Sequence, residues 1–184
     1  MALGQINSRG AGIILQEVVA NSLDAEADEV IIFAEVYDDT NVRICVTDNG
    51  TGFHDLTHAF EVFAESARKD ELEKRGRFNL GEKIVLALCD RAKICSTSGT
   101  IYFDSNGRRK TKTASGGGTL CEFVIPAENA DTAAEWLADI VGYAQRILMP
   151  EGTKLVVNGE ALEGRQPEAY RNHLLATVKG ESLS

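Results

Sequence analysis

The chain has 184 residues and 43% apolar side chains, which suits one globular core and excludes a disordered chain. Nineteen Lys and Arg stand against 28 Asp and Glu, a formal charge of −9, so no direct nucleic-acid binding is expected from so acidic a surface. No run approaches the roughly 20 apolar residues of a membrane span, and Met1 to Gly12 lacks the basic start and apolar centre of a signal peptide. A soluble, cytoplasmic protein with no membrane contact is expected. The four cysteines (Cys45, Cys89, Cys95, Cys121) lie in apolar runs without a C-x-x-C pair, as small buried hydrophobes in a reducing compartment.

In chain order, residues 11 to 24 predict a helix. Ala27 to Tyr37 and Asn41 to Thr47 predict strands joined by the Asp38-Asp39-Thr40 turn, and 48 to 52 a loop. Asp55 to Ala64 predicts a helix, Glu65 to Asn79 is a charged segment expected to move, and Leu80 to Asp90 has helical apolar spacing. Lys93 to Ser98, Thr100 to Asp104, Lys110 to Ala114 and Thr119 to Ile125 alternate as an antiparallel meander. Ala130 to Leu148 predicts a long helix with Trp136 in its core face, and Thr153 to Asn158 a last strand before the polar segment 163–184. A complete small protein and a fragment of a longer one both fit this ending. Helices grouped against a mostly antiparallel sheet define an α+β, two-layer α/β sandwich with the helices on one face.

On the first helix, Glu17, Asn21 and Asp24 fall in one narrow stripe, because offsets of four and seven return to nearly the same direction. Apolar residues flank it on both sides. A thin solvated face with Asp24 ending the helix is the ordinary reading; a cleft holding a water and a hard cation beside a carboxylate and an amide oxygen is the sharper one. Asp48 then closes a strand and precedes Asn49-Gly50-Thr51-Gly52, where alternate glycines permit positive φ and close approach of a ligand. Alone, such a string is a turn capped by Asp48.

Together, E-x-x-x-N-x-x-D on a helix and D-x-G-x-G two strands later resemble the GHKL ATPase superfamily of gyrase B, MutL, the large heat-shock chaperone and histidine kinases. The strings Gln16 to Ala25 and Val46 to Gly52 are most similar to the MutL and type VI topoisomerase B-subunit branches. The resemblance implies the Bergerat ATP-binding fold over residues 1–162, with a lid at about 64–80 and a C-terminal extension or start of a further domain at 163–184. It implies ATP and Mg²⁺ as cofactors: Asp48 takes the adenine amino group, Gly50 and Gly52 let the base approach, Asn21 binds the metal, Glu17 activates water and Asp24 holds the site in shape.

Gly76 to Lys83 is one residue out of register with the Walker pattern, so a P-loop is rejected. By the resemblance, Gly76 and Gly81 match the phosphate-covering end of the lid, Lys83 touches a phosphate or stays solvated, and Ser66 and Lys69 match a weaker lid element. Three closely spaced glycines are common there, whereas this chain has two. A supporting Gly-Thr is offered by Gly118-Thr119 and Gly152-Thr153, and Thr119 is the choice by its place before the long helix. Slow Mg-dependent ATP hydrolysis with lid closure coupled to a nucleotide-dependent homodimer, a further domain or a partner protein is the main expectation. The alternatives are an ATP-gated interaction module without significant turnover and a histidine kinase catalytic domain, although none of His54, His58 and His173 sits in a dimerisation hairpin. His54 and His58 lack a third metal ligand, and Arg108 to Lys110 with Lys112 read as a basic hairpin tip.

Overall fold

The computed structural model describes residues 3–53 and 88–162, with side chains from residue 10 onward. The expected helix Asp55 to Ala64, the segment Glu65 to Asn79, most of Leu80 to Asp90 and residues 163–184 lie outside the described residues. Among the described residues two long helices, α1 (Leu3–Asp24) and α2 (Ala130–Ala144), accompany eight strands: β1 (Glu29–Asp38), β2 (Asn41–Asp48), β3 (Arg91–Ser96), β4 (Gly99–Asp104), β5 (Gly107–Thr111), β6 (Leu120–Pro126), β7 (Lys154–Val157) and β8 (Glu160–Leu162).

Alternation decides which face of the sheet is covered. Val30, Ile32 and Ala34 of β1 and Val42, Ile44 and Val46 of β2 are buried while their neighbours are not, so a single register, Val30 opposite Asp48, puts these six apolar side chains on one face. The turn between them is held by Asp38, whose Oδ1 accepts from the Thr40 N–H at 2.9 Å. The sheet runs β5-β4-β3-β6-β2-β1-β7-β8 and is antiparallel throughout except for β1 against β7.

Both helices lie on the face that carries this apolar set, α2 over β1 and β2, and α1 against α2 and β2. Ile14, Leu15, Val18 and Val19 of α1 and Trp136 and Ile140 of α2 meet Ile44, Phe123 and Ile125 in one core. Each fully buried side chain of this size contributes about 1.5–3 kcal/mol. This is the mixed, mostly antiparallel sheet with helices on one face that the sequence predicts, consistent with the Bergerat ATP-binding fold.

Strands β3 (expected at Lys93 to Ser98) and β5 (expected at Lys110 to Ala114) each begin and end earlier than expected, and other differences have physical reasons. Helix α1 begins at Leu3 rather than residue 11, despite Gly4, Gly10 and Gly12. A Cβ on Gly12 would stand 3.1 Å from Cγ of the Tyr143 ring, so that glycine serves the close approach of α2 rather than breaking the helix. Helix α2 stops at Ala144 instead of Leu148, where Arg146 N–H turns back to the Tyr143 carbonyl at 3.0 Å and Ile147 N–H to Ala144 at 3.2 Å. Strand β8 was too short to signal itself. Finally, Arg108, Arg109 and Lys110 lie along the edge strand β5 and not at a hairpin tip, which is Ser105-Asn106. Asn106 N–H closes that turn on Asp104 Oδ1 at 2.8 Å, and Arg109 stacks over the Tyr102 ring at 4.8 Å. Basic side chains on an open edge discourage further strand pairing.

The four cysteines are free, and burial raises the thiol pKa of Cys89 to about 12 and that of Cys121 higher still. Among the described residues no helix is long and apolar enough to cross a membrane.

Beyond the end of β7, Asn158 continues the pairing with its side chain: Oδ1 accepts from Ala34 N–H at 2.8 Å and Nδ2 donates to the Ala34 carbonyl at 3.0 Å. Its φ of 48° is one that asparagine tolerates better than most residues. Replacing Asn158 by Ala is therefore expected to cost roughly 2–4 kcal/mol in urea denaturation, two lost hydrogen bonds plus left-handed strain. An unchanged midpoint would contradict this.

Candidate functional site

Strand β2 ends on Asp48, which points to the helix-covered face because its register partner is Val30. Buried carboxylates need donors. Asp48 Oδ1 accepts from the backbone N–H of Gly50 at 3.0 Å and of Thr119 at 3.1 Å, and Oδ2 accepts from the Ser22 hydroxyl at 2.9 Å. Asp48 is 9% exposed. The Ser22 hydroxyl also lies 3.0 Å from the Val18 carbonyl, so its single proton has two acceptors to choose between. Oδ2 therefore keeps the capacity to accept from a ligand.

Around this carboxylate, Val18, Asn21, Ser22, Ala25, Gly52, Phe53, Thr119 and Cys121 line an open pocket between α1 and the ends of β2 and β6. Its walls are mostly apolar with a few convergent polar groups, the usual make-up of a small-molecule site.

Each residue of the loop after Asp48 has a local reason. Asn49 Oδ1 accepts from the N–H groups of Asp28 at 3.1 Å and Glu29 at 3.0 Å, pinning the loop to the start of β1. Thr51 N–H donates to the Ala25 carbonyl at 2.8 Å. A Cβ on Gly50 would lie 2.5 Å from that same carbonyl oxygen, and one on Gly52, at φ +71°, would lie 2.8 Å from Ser96 Oγ. Both glycines are thus required by approach of the chain to itself, and only Gly52 lines the pocket.

The structure brings Asn21, Asp48, Gly52 and Thr119 together. Glu17 is half-buried one turn before Asn21 and does not line the pocket among the described residues; Asp24 is exposed at the last turn of α1. Gly76, Gly81 and Lys83, with Ser66 and Lys69, lie outside the described residues. Of the two Gly-Thr pairs, Thr119 is the one beside Asp48, while Thr153 hydroxyl closes a turn on the Pro150 carbonyl at 2.6 Å. Sequence reasoning missed Ser22 and Ser96, whose hydroxyls meet Asp48 and Thr119. No spacing rule flags a serine whose partner lies 26 or 23 residues away.

Among the described residues no three His, Cys, Asp or Glu side chains gather as a metal centre. The oxygen donors lining the pocket include the Asn21 amide, with Glu17 one helical turn before it on α1. That set suits a hard cation completed by waters and by ligand phosphates and does not suit an all-protein cage.

Residues 6–129 match the family described as histidine kinase-, DNA gyrase B-, and HSP90-like ATPase. The chain belongs to that family, and is an ATP-binding domain of the GHKL, Bergerat-fold type. Among solved structures it is similar to the N-terminal domain of a DNA repair protein, with a TM-score of 0.52 and 19% identity over 87% of this chain and 54% of that one. It is similar also to the ATPase region of Saccharomyces cerevisiae topoisomerase II, with a TM-score of 0.54 and 15% identity over 89% and 52%. The same region bound to ICRF-187 (dexrazoxane) gives 0.54 and 14% over 90% and 52%. At such identities the likeness is one of fold. The chain spans about half the length of these structures, at 54%, 52% and 52%. No curated protein matches it in sequence.

Gly118 holds the two halves of the site together. At φ +62°, a Cβ there would stand 1.9 Å from the Asp48 carbonyl oxygen. Substituting Gly118 by Ala is expected to destabilise the domain by on the order of 3 kcal/mol or more. Equilibrium denaturation tests this, and wild-type stability in the variant would contradict it.

Proposed function

We propose that this domain binds ATP with Mg²⁺ at the Asp48 pocket and hydrolyses it slowly. The observation that carries the reading is the buried Asp48 carboxylate, held in place by two backbone donors and one hydroxyl, with acceptor capacity left facing the pocket. In this reading Asp48 accepts a hydrogen bond from the adenine amino group, Thr119 assists through a water, and the apolar walls at Val18, Ala25 and Phe53 take the ring.

Asn21 would bind Mg²⁺ through its side-chain oxygen, and Mg²⁺ when bound neutralises charge on the phosphates. Glu17, one helical turn away, would orient the attacking water and take its proton. Asp24 would hold the end of α1 in shape. Gly76, in the lid at about 64–80, and Gly81 and Lys83, just after it, would supply donors to the phosphates. Residues 1–162 would form the ATP-binding unit, and 163–184 an extension or the start of a further domain. Closure would be coupled to a second copy or to a partner, in a reducing, cytoplasmic setting that the four free cysteines support. Positioning and charge neutralisation do most of the work in such a site, so turnover waits on closure.

A second reading, an ATP-gated interaction module with no meaningful turnover, is favoured by one observation: Glu17 does not line the pocket among the described residues. Single-turnover measurements at high protein concentration separate the two. Asp48→Asn presents an amide donor or a neutral oxygen where a carboxylate stood, and is expected to weaken nucleotide binding about 10- to 100-fold. Glu17→Ala should keep binding and lose at least about 100-fold in cleavage. Wild-type binding of MgATP without phosphate release would establish the module, and an Asp48→Asn variant binding as tightly as wild type would remove the basis of both readings.

A further inference from the structure

Ser96 is the last residue of β3, is fully buried, and does not itself line the pocket, although its hydroxyl bonds to two residues that do, Phe53 and Thr119. Its hydroxyl oxygen accepts from Phe53 N–H at 2.7 Å and lies 3.1 Å from Thr119 Oγ1. Either hydroxyl could donate to the other on distance alone, and the proton inventory decides between them. Thr119 lines the pocket, so its proton has somewhere to go. Among the described residues the Ser96 proton has one acceptor, Thr119 Oγ1. Were Thr119 to donate to Ser96, the Ser96 proton would be left buried and unpaired, at the full desolvation penalty of a hydroxyl donor.

From this we infer that Ser96 sets the base preference of the pocket: it donates to Thr119 and so turns the Thr119 proton outward, towards the water that bridges to the ligand. The inference rests on the nucleotide reading above and deepens it. Thr119 backbone N–H bonds to Asp48 Oδ1 at 3.1 Å and both residues line the pocket, so its floor presents an acceptor, Asp48, next to a donor, Thr119. Adenine offers the complement, an exocyclic amino donor beside a ring-nitrogen acceptor. Hypoxanthine and guanine offer the reverse, an oxo acceptor beside a ring N–H. For these, Thr119 would have to accept from the base, either with its remaining lone pair while its own proton loses the ligand as acceptor, or by pointing that proton at Ser96 and stranding the Ser96 proton. Gly52 is part of the device, since a side chain there would collide with Ser96 Oγ. Ser96 is thus a positioning residue that acts through Thr119 and never meets the base.

The test compares MgATP with MgITP, which differ in donor order at the base, by competition binding on the full chain. Wild type is expected to favour ATP. Ser96→Ala frees the Thr119 hydroxyl to turn either way and should narrow the ratio of the ITP to the ATP dissociation constant roughly fivefold, the worth of one hydrogen bond. Should Ser96→Ala fail to fold, Ser96→Cys keeps the volume with a weak donor and should narrow the ratio in the same direction. Loss of affinity for both nucleotides by one common factor would mean a merely structural role and would overturn the inference, as would an unchanged ratio. Wild type binding neither nucleotide would overturn the nucleotide reading itself, an outcome distinct from tight ATP binding with a Ser96-independent ratio.

Discussion

The site depends on one carboxylate placed below the surface with all its bonding arranged in advance. Asp48 receives donors from the loop that follows it, from the start of β6 and from α1, three pieces of chain that meet at that point. A buried charge is costly to leave unpaired, so these donors do more than hold a side chain; they oblige the end of the sheet and the helix above it to close together. The pocket is the space left between them.

Close backbone approach makes that closure geometrically feasible. Gly50 clears the Ala25 carbonyl, Gly52 clears Ser96, and Gly118 clears the Asp48 carbonyl, so glycines that look like ligand-approach features serve first to let chain meet chain. Asn49 and Thr51 then fasten the same loop to the start of β1 and the end of α1. The result is a rigid floor on the helix-covered face of the sheet. Ser22 and Ser96 complete it as buried hydroxyls bonded to Asp48 and Thr119.

Much of this was legible because strong periodicity has few structural solutions. The Val and Ile alternation of β1 and β2 fixes which residues face the core, and with it that Asp48 faces inward, in step with Val42, Ile44 and Val46. The helix stripe was legible in direction but not in depth: Asn21 lines the pocket, Glu17 is half-buried, and Asp24 is exposed. Periodicity gives angles around an axis and says nothing about how far the next layer extends. The earlier start of α1 was not legible, since Gly12 lowers helix propensity on its own and fits the helix through its close approach to Tyr143. The hydroxyls of Ser22 and Ser96 were invisible because they are defined by tertiary partners alone.

The central claim, that Asp48 and its donors form the floor of an adenine-nucleotide site, is tested most directly by following backbone amide resonances while MgATP is added. The account predicts saturable shifts concentrated at Gly50 and Thr119, whose N–H groups donate to the Asp48 carboxylate, with the edge strand β5 unmoved. Saturable binding that leaves those two amides unshifted, while resonances elsewhere in the sheet move, would contradict it.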